Sequence, residues 1–112
     1  MHSKYWNYFK CEKLCNGVES DFYSNGRKRL EGEFKNGKPI HVIEYRNDGT
    51  KETEFWYKLG TGQYERVNYF DESGMLEEYE LYKRSKRRTV KMTFASNGKR
   101  IGRDVTKHGI EE

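Results

Sequence analysis

Polar and apolar residues alternate in short runs along this chain, as in Leu30-Glu-Gly-Glu-Phe34 and Val90-Lys-Met-Thr-Phe94. A period of two is what a strand requires to bury one side and wet the other. Turn signals bound the runs. An aromatic residue followed four positions later by glycine occurs at Phe22-Tyr-Ser-Asn-Gly26, Tyr45-Arg-Asn-Asp-Gly49, Phe70-Asp-Glu-Ser-Gly74 and Phe94-Ala-Ser-Asn-Gly98, with the glycines 23, 25 and 24 residues apart. A second series falls between them, at Asn16-Gly17, Asn36-Gly37, Gly60-Thr61-Gly62, Arg84-Ser85-Lys86 and Lys107-His108-Gly109. Asn-Gly and Asp-Gly accept the positive φ that a tight reversal between twisted strands demands, so each repeat of about 24 residues is one β-hairpin plus the turn to the next. The pattern predicts an all-β protein: an antiparallel meander of about seven to eight short strands, forming a curled single sheet or a partly closed barrel.

Register follows from asking which pairing gathers the apolar residues on one side, because a slip of one residue turns every side chain over. A two-residue turn at Asn36-Gly37 and three-residue turns ending at Gly26, Gly49, Gly62 and Gly74 place Val18, Phe22, Leu30, Phe34, Ile43, Tyr45, Phe55, Tyr57, Val67, Tyr69, Tyr79 and Leu81 on one face. Two-residue turns at Ser85-Lys86 and Asn97-Gly98 add Val90, Met92, Phe94, Ile101 and Val105, along with Gly32, Thr53, Glu65, Glu77 and Arg103. The opposite face carries Lys51, Glu52, Glu54, Arg66, Asn68, Glu78, Glu80, Lys91 and Asp104, with Ile40, Val42, Trp56, Tyr64, Phe70, Leu76 and Tyr82 among them.

Composition limits the core. Hydrophobic residues make up 33% and charged residues 36%, so a thick two-layer interior is excluded, and the 15% of aromatics must supply much of the buried area. The dry face must therefore curl on itself, receive the N-terminal segment as a lid, or pair with another copy through that face or an edge strand. A length of 112 residues implies a single β-repeat domain, with units at roughly 22–44, 45–69, 70–93 and 94–112 and residues 1–21 as a cap or edge strand. The N-terminal residues include no unbroken apolar stretch of signal or membrane-spanning length, which predicts a cytoplasmic protein without membrane insertion.

Candidate chemistry is sparse. Cys11 and Cys15 are too few for a zinc site and are expected to be reduced thiols, partly buried in an edge element. His41 falls opposite Gly32 in these registers, where an imidazole covers a bare glycine. Glu65 and Glu77 project from the apolar face near Gly62 and Gly74, so both are expected to reach the rim and stay solvated. No nucleophile, base and orienting acid assemble, and every glycine cluster is a hairpin turn followed by strand instead of a phosphate-cradling loop. The expectation is no enzyme, no cofactor and no metal site.

The run Tyr23-Ser-Asn-Gly-Arg-Lys-Arg-Leu-Glu-Gly-Glu-Phe-Lys-Asn-Gly-Lys38 resembles the bacterial MORN-repeat variant, whose units pair a tyrosine and Asn-Gly with a charged Gly-x-aromatic stretch and a second Asp/Asn-Gly. Later units keep the first turn but carry Glu52-Thr-Glu-Phe55 and Glu78-Tyr79 where Gly-x-aromatic would stand. Phe70-Asp-Glu-Ser-Gly-Met-Leu-Glu-Glu-Tyr79 is also similar to a tyrosine-aspartate repeat. The resemblance spans residues 22 to 103. It implies a β-repeat surface used for protein contacts, in a family that includes antitoxin-like and immunity-like proteins and carries no catalytic constellation.

Charge supplies one further feature. Lys83, Arg84, Lys86, Arg87, Arg88 and Lys91 lie within nine residues and no acid interrupts them. At a hairpin tip they would form a positive knob able to meet nucleic acid, anionic lipid or an acidic protein surface, with Lys91 facing Glu80 across the strands. A net charge of +4 with 18 acids interspersed is mild for a dedicated nucleic-acid protein. Two functions follow. A protein-binding module, of immunity, antitoxin or inhibitor type, would use Trp56, Tyr64 and Tyr82 as anchors for a protein partner such as a toxin or effector. A polyanion binder would use the basic tip at 83–91.

Overall fold

The structure, a computed structural model, describes residues 2–4, 7–10 and 13–108. Three short strands, β1 (His2–Lys4), β2 (Asn7–Lys10) and β3 (Lys13–Leu14), form a small antiparallel sheet. Eight more follow in chain order: β4 (Gly17–Phe22), β5 (Lys28–Lys35), β6 (Lys38–Tyr45), β7 (Lys51–Tyr57), β8 (Tyr64–Phe70), β9 (Leu76–Arg84), β10 (Arg88–Ala95) and β11 (Arg100–Lys107). They pair as an open antiparallel meander with β4 and β11 at its edges, so no barrel closes. The molecule measures 50 × 34 × 17 Å, the thin plate that a chain with few apolar residues can build.

Every aromatic-x-x-x-Gly phrase makes the same reversal. In the first, the Tyr23 N–H donates to the Arg27 carbonyl and the Gly26 N–H to the Tyr23 carbonyl, and the bonds recur at Arg46, Asp71 and Ala95. Each reversal is followed by an unpaired residue. Phe22 faces Lys28 but Asp21 faces Leu30, which leaves Arg29 over; by the same count Glu52, Glu77 and Ile101 are the extra residues of the next three repeats. Ile40 and Glu65 play that part after the Asn36-Gly37 turn and the Leu59–Gly62 loop. Such one-residue bulges bend and twist a strand and change which side chains share a face.

Those bulges correct the expected single dry face. Leu30, Phe34, Phe55 and Val67 do share one face, but Val42 joins them in place of Ile43, because the extra Ile40 sets Val42 opposite Gly32 and Phe55. Past Glu77 the sides exchange: Val67 faces Glu80, and Asn68 faces Tyr79. Tyr79, Leu81, Val90, Met92, Phe94 and Val105 therefore lie on the face opposite Val67. Val18, opposite Glu33, is on that side too and is exposed. Two registers held. Phe55 meets Val67 because a longer loop and the Glu65 bulge cancel, and Val90 meets Val105. His41 stands opposite Glu33 and Trp56, not Gly32.

The N-terminal hairpin lies over the β5–β8 part of the first face, called here the capped face. Cys15, Leu30, Phe34 and Val42 form the buried core, with Tyr8, Phe55 and Tyr57 packed against it and the Tyr8 and Phe34 rings 5.0 Å apart. The described residues from 7 to 22 thus contribute both the cap and the edge strand β4. Cys15 is a buried free thiol, and burial pushes its pKa up. Cys11 lies outside the described residues.

Neighbouring repeats are stitched together at their turns. The Arg46 guanidinium donates to the carbonyls of Lys51 at 2.8 Å, Phe70 at 2.7 Å and Asp71 at 2.8 Å, tying the second turn to the third. The Tyr23 hydroxyl donates to the Tyr45 carbonyl at 2.6 Å, tying the first to the second. Removing one charged donor that serves three carbonyls is worth about 2 kcal/mol. Arg46→Ala is expected to lower Tm by about 8 °C. Arg46→Lys, which keeps charge without the fork, should restore less than half of that loss in a thermal melt; full restoration would assign the effect to charge alone.

Candidate functional site

No described part of the protein covers the face opposite the cap, called here the open face. Across five strands it presents one row of planar side chains. The His41 ring of β6 stacks on Trp56 of β7 with centroids 4.9 Å apart. The Arg66 guanidinium of β8 stands 5.7 Å from the Trp56 ring and 4.5 Å from that of Tyr79 on β9. Tyr79 in turn stacks on Phe94 of β10 at 5.1 Å and 12°. Direct opposition of His41, Trp56 and Arg66 in register builds the first half of the row, and a diagonal reach from Arg66 to Tyr79 continues it. Glu54 anchors one end through a 2.6 Å hydrogen bond to His41 Nε2, and Arg66 Nε donates to Asn68 Oδ1 at 2.9 Å. Each ring–ring or cation–ring contact contributes about 0.5–1 kcal/mol, so the row is stiff while remaining only half-buried. Leu81, Met92 and Val105 extend the same face with apolar area.

The capped face carries a cluster of phenols and carboxylates beside the core. Glu80 is 8% exposed and opposes Val67. It accepts hydrogen bonds from the hydroxyls of Tyr69 and Tyr82, both at 3.0 Å, and Lys91 Nζ stands 3.5 Å from its other oxygen. A buried carboxylate needs such partners. Burial first, and the Glu80 charge after it, raise both phenols, Tyr69 to about 12 and Tyr82 further. Tyr8, Tyr57 and Tyr64 are raised by burial as well. No buried side-chain nitrogen or oxygen among the described residues lacks a hydrogen-bond partner, and the Tyr69–Glu80 bond ties β8 to β9.

The structure separates the three aromatics that pattern alone put together. Trp56 stands on the open face, whereas Tyr64 and Tyr82 are on the capped face with their rings 5.9 Å apart, Tyr64 being 36% exposed. Glu65 and Glu77 are both exposed bulge residues. The β9–β10 turn is Lys86-Arg87, one residue later than Ser85-Lys86, closed by the Ser85 N–H on the Arg88 carbonyl at 2.8 Å. Lys91 belongs to the capped face, between Glu80 and Asp104 at 3.7 Å, so it stands apart from the tip. Arg84 lies over the Tyr82 ring at 5.3 Å. The end of β11 joins the tip, since Lys107 opposes Arg88 and the His108 N–H donates to the Arg87 carbonyl. The row residues His41, Arg66, Tyr79 and Phe94 are not evident from the apolar pattern, because their alignment depends on the bulges at Glu52, Glu65 and Glu77 and on the later β9–β10 turn, which that pattern does not register.

Among the described residues no group of three metal-ligating side chains converges, and no helix is long and apolar enough to cross a membrane. No protein-family model matches the sequence, and no characterised protein or solved structure was found to match the chain.

Proposed function

We propose that this protein is a non-enzymatic protein-binding module of immunity, antitoxin or inhibitor type, acting through the open face of its sheet. The row His41, Trp56, Arg66, Tyr79 and Phe94 carries this reading. Tryptophan, tyrosine and arginine are the residues that concentrate binding energy at protein interfaces, and here they are held rigid before any partner arrives, which lowers the entropy lost on docking. The apolar positions beside the row, Leu81 and Met92, suit the dry centre of such an interface. The resemblance to the MORN-repeat variant supports the same reading, since it implies a repeat surface for protein contacts.

A photo-crosslinking amino acid placed at Leu81 on the open face should trap one discrete protein in the native host. The same group at Thr93 on the capped face should not. Trp56→Ala should abolish the Leu81 adduct while the β circular dichroism spectrum is kept and the melt falls by no more than about 8 °C, the loss of its two row contacts. Equal adducts from both faces, or an adduct indifferent to Trp56→Ala, would count against the proposal.

A further inference from the structure

The β9–β10 tip concentrates like charge: Lys83, Arg84, Lys86, Arg87 and Arg88 crowd six positions with no acid among them. Lys83, Lys86, Arg87 and Arg88 have no carboxylate within ion-pair distance among the described residues, and all four are exposed. Like charges held together without counter-charge favour a bound polyanion, whose binding also releases condensed counterions.

Two grooves flank the stem of this hairpin, and Arg84 lines both. One, of about 380 Å³, is bounded by Thr61, Gly62, Gln63, Tyr64 and Arg84. Its lining combines a phenol ring, the guanidinium that also lies over Tyr82, a hydroxyl and an amide, and its volume is more than twice the ~150 Å³ of a cavity that holds benzene. The other is bounded by Lys83, Arg84, Ser85, Arg88 and Val90, three cations and a hydroxyl with no acid. The first opens on the capped face with Tyr64 and the second on the open face with Lys83 and Val90, so a flexible single strand that rounds the tip can lay a base in one and phosphates in the other. Bases in a duplex are already stacked on each other and cannot enter the first groove, whereas an unpaired base can. An anionic lipid surface would meet only the charge of residues 84–88, which contain no apolar side chain to enter it, and would leave the Tyr64 groove unused.

We propose that this end of the sheet is a second binding site, for single-stranded nucleic acid. Phosphates lie on Lys83, Arg88 and the turn pair Lys86-Arg87, and one unpaired base lies in the groove lined by Tyr64 and Arg84. The site is independent of the open-face row.

Fluorescence anisotropy with a labelled single-stranded oligonucleotide of mixed sequence tests it. With four or five phosphates neutralised, the logarithm of affinity should fall against the logarithm of salt with a slope of about −3. The exposed triple variant Lys86→Glu, Arg87→Glu and Arg88→Glu should weaken binding at least about a hundredfold and flatten that slope. Arg84→Lys keeps the charge and loses the plane, so it should weaken single-strand binding about fivefold at an unchanged slope. Circular dichroism checks that both variants fold as wild type. Binding unaffected by the triple variant overturns the site. Equal affinity for the matching duplex, no effect of Arg84→Lys, or displacement by poly-glutamate or anionic vesicles at matched charge overturns the nucleic-acid assignment.

Discussion

Gly37→Val is expected to unseat the N-terminal hairpin and to cost about 3 kcal/mol, a fall in Tm of roughly 12 °C. Gly37 occupies φ +83°, in the turn that joins β5 to β6. A Cβ there would sit 2.5 Å from Leu14 Cδ2 and 3.2 Å from Asn7. The same residue is the cap's backbone anchor: its N–H donates to the Cys15 carbonyl and its carbonyl accepts from the Tyr8 N–H, both at 2.7 Å. Valine therefore meets a strained backbone at the cap's own anchor, and it also pushes aside the exposed Leu14 side chain and crowds Asn7, so the cap is loosened over Phe34, which is 2% exposed. The Cys15 thiol, 1% exposed in the native fold, reports the event. In a Cys11→Ser background it should react slowly with a thiol reagent in the parent and at nearly the free-thiol rate in Gly37→Val. Retained protection in the variant would show that the cap docks by other means.

Raising the pH above 10 is expected to unfold the sheet in one step. Tyr8, Tyr57, Tyr64, Tyr69 and Tyr82 all have pKa values above the ordinary 10, chiefly through burial, with Glu44 and Glu80 adding negative charge nearby. In the unfolded chain these phenols lose their protons near pH 10, while the folded chain retains them, Tyr69 to about 12. Above pH 10 the native state thus binds more protons than the unfolded state, so stability falls with each increment of pH. The contribution is complete below 10 and is lost as the pH climbs toward 12. Tyrosinate absorbance and the loss of β circular dichroism should appear together. Five phenols titrating near pH 10 over an intact sheet would contradict this. Glu80→Gln, which removes the charge but keeps an acceptor, should let Tyr69 and Tyr82 ionise at lower pH.

Much of the architecture was legible because turn chemistry is local. Gly26, Gly49, Gly74 and Gly98 all adopt positive φ, as does Asn36 before Gly37, and these residues mark where strands end whatever the strands pack against. The Phe55–Val67 pairing was legible too. Membership of the faces was not. Trp56, Tyr64 and Tyr82 looked equivalent as aromatics at polar positions, yet the Glu65 and Glu77 bulges send Trp56 to the open face and the two tyrosines to the other. The basic tip was visible as a run of like charge. Its company, Tyr64 with Arg84 in one groove and Lys107 beside Arg88, required the strands to be laid side by side.

The amino-acid order alone determined a meander: its class, the repeat of about 24 residues, most turn positions to within a residue and the run of positive charge at 83–91, each encoded by residues adjacent in the chain. Tertiary structure decided which side of each strand is dry, that residues 7–10 and 13–15 cap only one half of the sheet, and that His41, Trp56, Arg66, Tyr79 and Phe94 fall into line. The reason is parity. One extra residue inverts every side chain beyond it, and although such residues recur three positions after the glycine of each repeat, only the packing of strands against each other and against the cap decides which face is then buried.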